Sequence, residues 1–125
     1  MSDTARNEGT EFVPRFDANG LVTVVVEDAG TNETLMLAHA NAEAIRLTRT
    51  TGVAHFWSRS RSEIWRKGAT SGNELAVEAI RIDCDQDALL YRVRLGDRVA
   101  CHTGRRSCFY RELALGSDAD TLRFR

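Results

Sequence analysis

What this chain lacks narrows the reading before any motif is considered. It has one proline, Pro14, one lysine, Lys67, and three cysteines in 125 residues. A lone proline near one end leaves the rest of the chain free to build regular elements. Three thiols cannot all pair within one molecule, which excludes a closed disulfide framework and favours reduced thiols or metal thiolates in a reducing compartment. No apolar run approaches the roughly 18 residues of a membrane span, and the first residues hold no apolar core of a secretory leader. We therefore expect a soluble, unsecreted protein of the cytoplasm with no membrane partner. A basic excess is also missing, the formal net charge being -1. That argues against a nucleic-acid partner held by bulk electrostatics, so any anionic ligand must be gripped by a local cluster. There is also no C-x-x-C pair, no Walker loop and no G-x-G-x-x-G, which sets aside a conventional nucleotide-binding fold.

What is present suffices for one domain, since 42% of the residues are apolar and that content builds a core without disulfides. Residues 1–15 are polar and read as a loosely ordered lead-in. The β-branched run at 21–26 predicts a strand, a Gly/Asn/Asp turn follows, and residues 34–39 return as its hairpin partner. Asn41 caps a helix predicted over 42–51, which Gly52 stops. Strands are expected at 53–58, 75–83 and 88–95, the last two from their alternation. Residues 59–73 read as a long polar loop, of the kind that carries function in small domains. Residues 98–104 and 107–113 are expected to form a last short pair, and 116–125 a polar tail. The class is α+β, a mostly antiparallel sheet with one main helix.

Three clusters carry chemistry. In "IDCDQD", residues 82–87, an extended backbone sends Asp83, Asp85 and Asp87 to one face and Cys84 to the other. The carboxylates are either a solvated acidic turn or a divalent-cation site such as Mg²⁺ that relieves their repulsion. An EF-hand is excluded, because its glycine and glutamate positions hold Ala88 and Arg94. Cys84, Cys101 and Cys108 are either small core hydrophobes or three zinc ligands, the number that leaves a catalytic zinc one open position. In "SRSRSEIWRKGATSGN", residues 58–73, Arg59, Arg61, Lys67, Thr70, Ser71, Gly72 and Asn73 supply guanidinium forks, hydroxyls and free amides suited to a phosphomonoester. The alternative is an ordinary basic surface loop. Since every other basic residue is an arginine, the scarcity of lysine can equally reflect genome base composition. Among His39, His55 and His102, we single out His102 for proton transfer because its neighbour Cys101 fixes it close to any zinc.

Taken together, "FDANGLV", "LMLAHANAEAI", "FWSRSRSEIWRKGATSGN", "DCDQD" and "ACHTGRRSCF" resemble the phosphoribosyl-AMP cyclohydrolase family of histidine biosynthesis. The five fragments stand in order over residues 16–113. The resemblance implies an intertwined homodimer in which Cys84 of one subunit joins Cys101 and Cys108 of the other on zinc, with magnesium on Asp83, Asp85 and Asp87. It further implies hydrolysis of the N1–C6 bond of the substrate's adenine ring by zinc-activated water. The chain departs from the family pattern at His39 and Ala40, where tyrosine and methionine are common, and at Glu27, where glutamine often precedes the aspartate. A base deaminase lacks support because its H-x-E and P-C-x-x-C patterns are absent. The rival from another class is a non-catalytic, zinc-stapled dimer that binds a nucleotide or RNA.

Overall fold

A computed structural model describes residues 2–125. Strand β1 (Val22–Asp28) alternates strictly between buried and half-buried positions, as its β-branched sequence requires. It pairs antiparallel with β2 (Thr34–Ala40). Helix α2 (Ala42–Thr51) begins where Asn41 Oδ1 accepts from the Ala44 N–H at 2.8 Å. It ends at Gly52, whose left-handed φ of 74° lets its N–H donate to the Thr48 carbonyl. These are the predicted bounds, because both caps are local chemistry. No helix is long and apolar enough to cross a membrane among the described residues.

After α2 come β3 (His55–Ser58) and β4 (Glu63–Arg66), an antiparallel hairpin. The expected irregular loop therefore contains a strand, which four residues flanked by charge could not announce by alternation. Strands β5 (Ala76–Ile82) and β6 (Ala88–Arg94) pair antiparallel. The main sheet runs β2-β1-β6-β5, with β1 and β6 parallel. The α+β class, mostly antiparallel with one main helix, is the class observed.

One face of this sheet carries Val22, Val24, Val26, Leu89, Tyr91 and Val93 into a core shared with Ala44, Ile45, Phe56 and Leu75. Phe56 lies between two aromatic neighbours, 5.5 Å from Trp65 and 5.8 Å from Tyr91 between ring centroids. Its truncation to alanine costs about 3–5 kcal/mol, as for a buried aromatic. That packing fixes the β3–β4 hairpin, and with it the basic segment that follows.

Two ends of the chain differ from expectation. Residues 1–15, read as loose, include helix α1 (Asp3–Glu8), capped by Ser2. The tail contains β8 (Leu122–Phe124), which pairs with β7 (Arg111–Leu113). The predicted partnership of 98–104 with 107–113 is not formed as a ladder. Turns occupy 101–108 instead, because their backbone groups bond to one another and to β2, as described next.

Candidate active site

The parallel pairing of β1 and β6 sets the layout. Thr23 lies opposite Ala88 and Asp28 opposite Val93, so the turn just before β6 sits at one end of the sheet and the end of β1 at the other. At a rise of about 3.3 Å per residue, a strand of this length separates those ends by roughly 20 Å.

At the Asp28 end lies the thiol loop. The Ala100 and Cys101 N–H groups donate to the Arg106 and Arg105 carbonyls at 3.1 and 3.0 Å, which closes a tight turn. The loop is strapped to β2 by the Cys108 N–H on the Leu35 carbonyl and by Ser107 Oγ on the Thr34 carbonyl, both at 2.7 Å. Cys101 is buried and lies 3.0 Å from Thr103 Oγ1. Burial alone pushes the Cys101 thiol up, but hydrogen bonds from Thr103 and Cys108 and the charge of Lys67 bring it below its ordinary value. Cys108 moves the other way, pushed up to about 11 by desolvation and by the adjacent Cys101. Although Cys108 as a residue is exposed, its thiol is turned toward Cys101. Two neighbouring thiols, one lowered and one raised by the other, are a donor pair suited to a soft cation.

Beside this pair opens a cavity of about 450 Å³, a size that holds a small organic ligand. Of the residues expected to bind substrate, Arg61, Lys67, Thr70, Ser71 and Asn73 line it, together with Cys101 and His102. Lys67 is nearly buried, with Nζ over the Trp65 ring at 5.5 Å. Arg59 and Gly72 do not line this cavity. Arg59 stands near His39, whose pKa falls through burial and then through that positive charge. Gly72 closes a turn, donating its N–H to the Gly68 carbonyl at 2.9 Å. His55 is a buried structural residue, with Nδ1 2.8 Å from the Val53 carbonyl.

The acidic cluster is at the opposite end of the sheet. Asp83, Asp85 and Asp87 do converge, their ligand atoms all lying within 4.8 Å of one another. They do so for a different reason from the one expected. Strand β5 stops at Ile82, and residues 83–87 form a turn rather than an extended run. Asp83 Oδ1 accepts from the N–H groups of both Asp87 and Ala88 at 3.1 Å, which folds the turn inward. Bonding to Asp83 and Asp85 and repulsion from their charges push Asp87 up to about 6. Asp85 is lowered by its hydrogen bonds with Asp87 and Asp83, helped by the charge of Arg15. A carboxyl that retains its proton this readily marks a surplus of negative charge, which a hard divalent cation offsets.

Cys84 is exposed on this same turn. Among the described residues of one chain, the aspartates are the only group of three or more metal-type side chains close enough to share an ion. The three cysteines of a single chain are not gathered. Sequence reasoning also passed over Gln86, Arg106 and Asp28, which hold the two loops. Gln86 and Arg106 lay inside fragments already singled out, but no spacing rule marks a residue whose partner is distant in sequence.

The model of the phosphoribosyl-AMP cyclohydrolase family matches residues 36–110. A phosphoribosyl-AMP cyclohydrolase from Chelativorans sp. (strain BNC1) is 62% identical over 111 residues, covering 88% of this chain and 80% of its own. One from Sphingopyxis alaskensis is 62% identical over 111 residues, covering 89% and 87%. One from Brucella anthropi is 61% identical over 110 residues, covering 87% and 78%. The matched stretch includes the cavity, the acidic turn and the thiol loop.

Proposed function

The chain belongs to the phosphoribosyl-AMP cyclohydrolase family, and from that premise we infer that it opens the adenine ring of phosphoribosyl-AMP by hydrolysis in histidine biosynthesis. The observation that carries the reading is the cavity that Lys67, His102, Thr70 and Ser71 line together with Cys101. Such a wall offers phosphate binding, a base and a metal ligand to one small molecule. The family relationship decides for an enzyme over a non-catalytic stapled dimer.

Cys101 and Cys108 would hold zinc, and two neighbouring soft sulfur donors, Cys101 eased toward its thiolate, fit it. The third ligand, Cys84, stands at the far end of the sheet in the same chain, so it would come from a second copy. That requirement supports a homodimer. So does the outer sheet face, where exposed Leu37 is in register with Val25, and Val25 with Leu90. Asp83, Asp85 and Asp87 would hold magnesium. Zinc, once bound, supplies the Lewis acidity that lets water act as a nucleophile near neutral pH.

Around that chemistry the chain's own groups have separate tasks. The alkylated N1 of the substrate leaves C6 electron-poor. Water oxygen bonds to C6, the N1–C6 bond breaks, and the electron pair departs with N1 into the formimino group. His102 takes the proton that water gives up and returns it to the departing nitrogen. Lys67, Arg61, Thr70, Ser71 and Asn73 hold a phosphate in the cavity. Arg59 and Gly72 lie just outside it, where Arg59 can meet the second phosphate and Gly72 shapes the loop.

A ring-opening assay on phosphoribosyl-AMP, with zinc content and sedimentation measured on the same sample, tests this reading. We expect turnover, about one zinc per chain and a dimeric mass. Full turnover from a zinc-free monomer would overturn the metal and dimer proposals, and absence of turnover in the zinc-loaded dimer would overturn the activity.

A further inference from the structure

Gln86 is out of character for its place. It lies in an exposed acidic turn, yet it is 5% exposed and holds a left-handed φ of 60°. That conformation is unfavourable for a non-glycine residue, so its side chain must offset the strain. It does so by bonding to the N-terminal segment. Gln86 Oε1 accepts from the Val13 N–H at 2.7 Å, while Nε2 donates to the Arg6 and Glu11 carbonyls at 3.0 and 3.1 Å. Its backbone carbonyl accepts from the Arg15 N–H at 2.7 Å.

Among the described residues, little else holds that segment. Helix α1 buries no residue, and its remaining ties are the Arg15–Asp3 ion pair at 3.3 Å and a 3.4 Å bond from Arg6 Nε to the Val13 carbonyl. Both of those join the segment to itself. We propose that Gln86 is a positioning residue that pins residues 6–15 onto the turn bearing Asp83, Cys84, Asp85 and Asp87, so that the N-terminal segment sets the geometry of both ligand groups. Only an amide does this, since it combines one acceptor with two donors. A glutamate would set its oxygens against two carbonyls. The segment and the turn also share the walls of a cavity of about 240 Å³, where Arg6 and Phe12 face Asp83 and Cys84. Arg15, held by the same pin, lends its charge to Asp85.

The ligand part of this inference rests on reading the aspartates as a cation site. Val13→Pro is the informative variant. It removes the N–H that Gln86 accepts, in a non-helical stretch, and leaves every residue of the turn intact. In the full-length protein we expect Val13→Pro and Gln86→Glu each to weaken Mn²⁺ binding by roughly fivefold or more, the lower edge of ordinary site coupling. Hydrogen exchange at the amides of Gln86 and Asp87 should quicken by a similar factor in Val13→Pro. Wild-type Mn²⁺ affinity together with unchanged exchange in that variant would overturn the pin. If the wild type takes up no Mn²⁺, the cation reading fails separately. The exchange measurement then decides the pin, with quickened exchange supporting it and unchanged exchange overturning it.

Discussion

Arg106, within the loop between Cys101 and Cys108, donates from Nη2 to Asp28 Oδ2 at 2.5 Å and from Nε to Glu33 Oε1 at 2.8 Å, while Nη1 bonds the Gly96 carbonyl. Asp28 is buried, and it also accepts from Thr31 Oγ1 and the Gly30 and Leu95 N–H groups. The pair clamps the thiol loop onto the end of β1. Only arginine presents several donors in one rigid fork, so lysine does not replace it.

Asp28→Asn should therefore cost about 1.5–3 kcal/mol, the value of a hydrogen bond to a charged group, read from urea denaturation. Burial by itself raises the Asp28 pKa, but the bonds from Thr31, Gly30 and Leu95 and the charge of Arg106 carry it below the ordinary 3.8. A depressed carboxyl contributes stability that is full above its unfolded value and lost as pH falls through its folded value. The wild-type thermal midpoint should drop on acidification below about 4, and Asp28→Asn should flatten that drop. An equal drop in both would remove Asp28 from the account.

Asp87 gives the opposite sign. With its folded pKa raised to about 6, the folded chain keeps a proton that the unfolded chain releases earlier. Stability should fall as pH rises between the ordinary carboxyl value and 6 in chelator, and Mg²⁺ should restore it above that range. Thermal midpoints at pH 5 and 7, with and without Mg²⁺, check this. A midpoint indifferent to Mg²⁺ at pH 7 would count against a cation here.

Cys101→Ser should lose both zinc and turnover. The same should hold for Cys84→Ser, although Cys84 lies at the other end of its own chain, because it would complete the partner's site. Mixing the two variants should restore some heterodimers with one intact site. Zinc content and activity of the mixture are the readouts, and full activity in either single variant would contradict the ligand assignment.

For the proton-transfer role, His102→Asn should lower kcat by about 10²–10⁴-fold, the usual weight of a general base, and remove the acidic limb of the pH profile. A limb that persists clears His102 of the role.

Gly68 and Gly72 both hold left-handed φ angles, 83° and 80°, but only at Gly68 does an added Cβ meet backbone, 2.1 Å from the Glu74 nitrogen. Gly72→Ala should cost about 1–2 kcal/mol for the conformation alone. Gly68→Ala should cost clearly more, because the segment carrying Lys67 must move. Denaturation midpoints compare them directly, and equal costs would mean that the clash is relieved cheaply.

The residues themselves determined whatever depends on near neighbours. Asn41 and Gly52 set α2 because a cap needs only the adjacent turn, alternation told which face of β6 is buried, and the five fragments named the family. Tertiary structure decided what near neighbours cannot. Alternation fixes a strand's faces but not its lateral partner, so the placement of β1 against β6 was not legible. That placement sends Cys84 and the Cys101–Cys108 pair to opposite ends of the sheet. The aspartates were rightly grouped for the wrong reason, since a turn gathers them where an extended strand was expected. Gln86 and Arg106 took their roles from partners 73 to 80 residues distant, and a contact at that separation exists only once the sheet has formed.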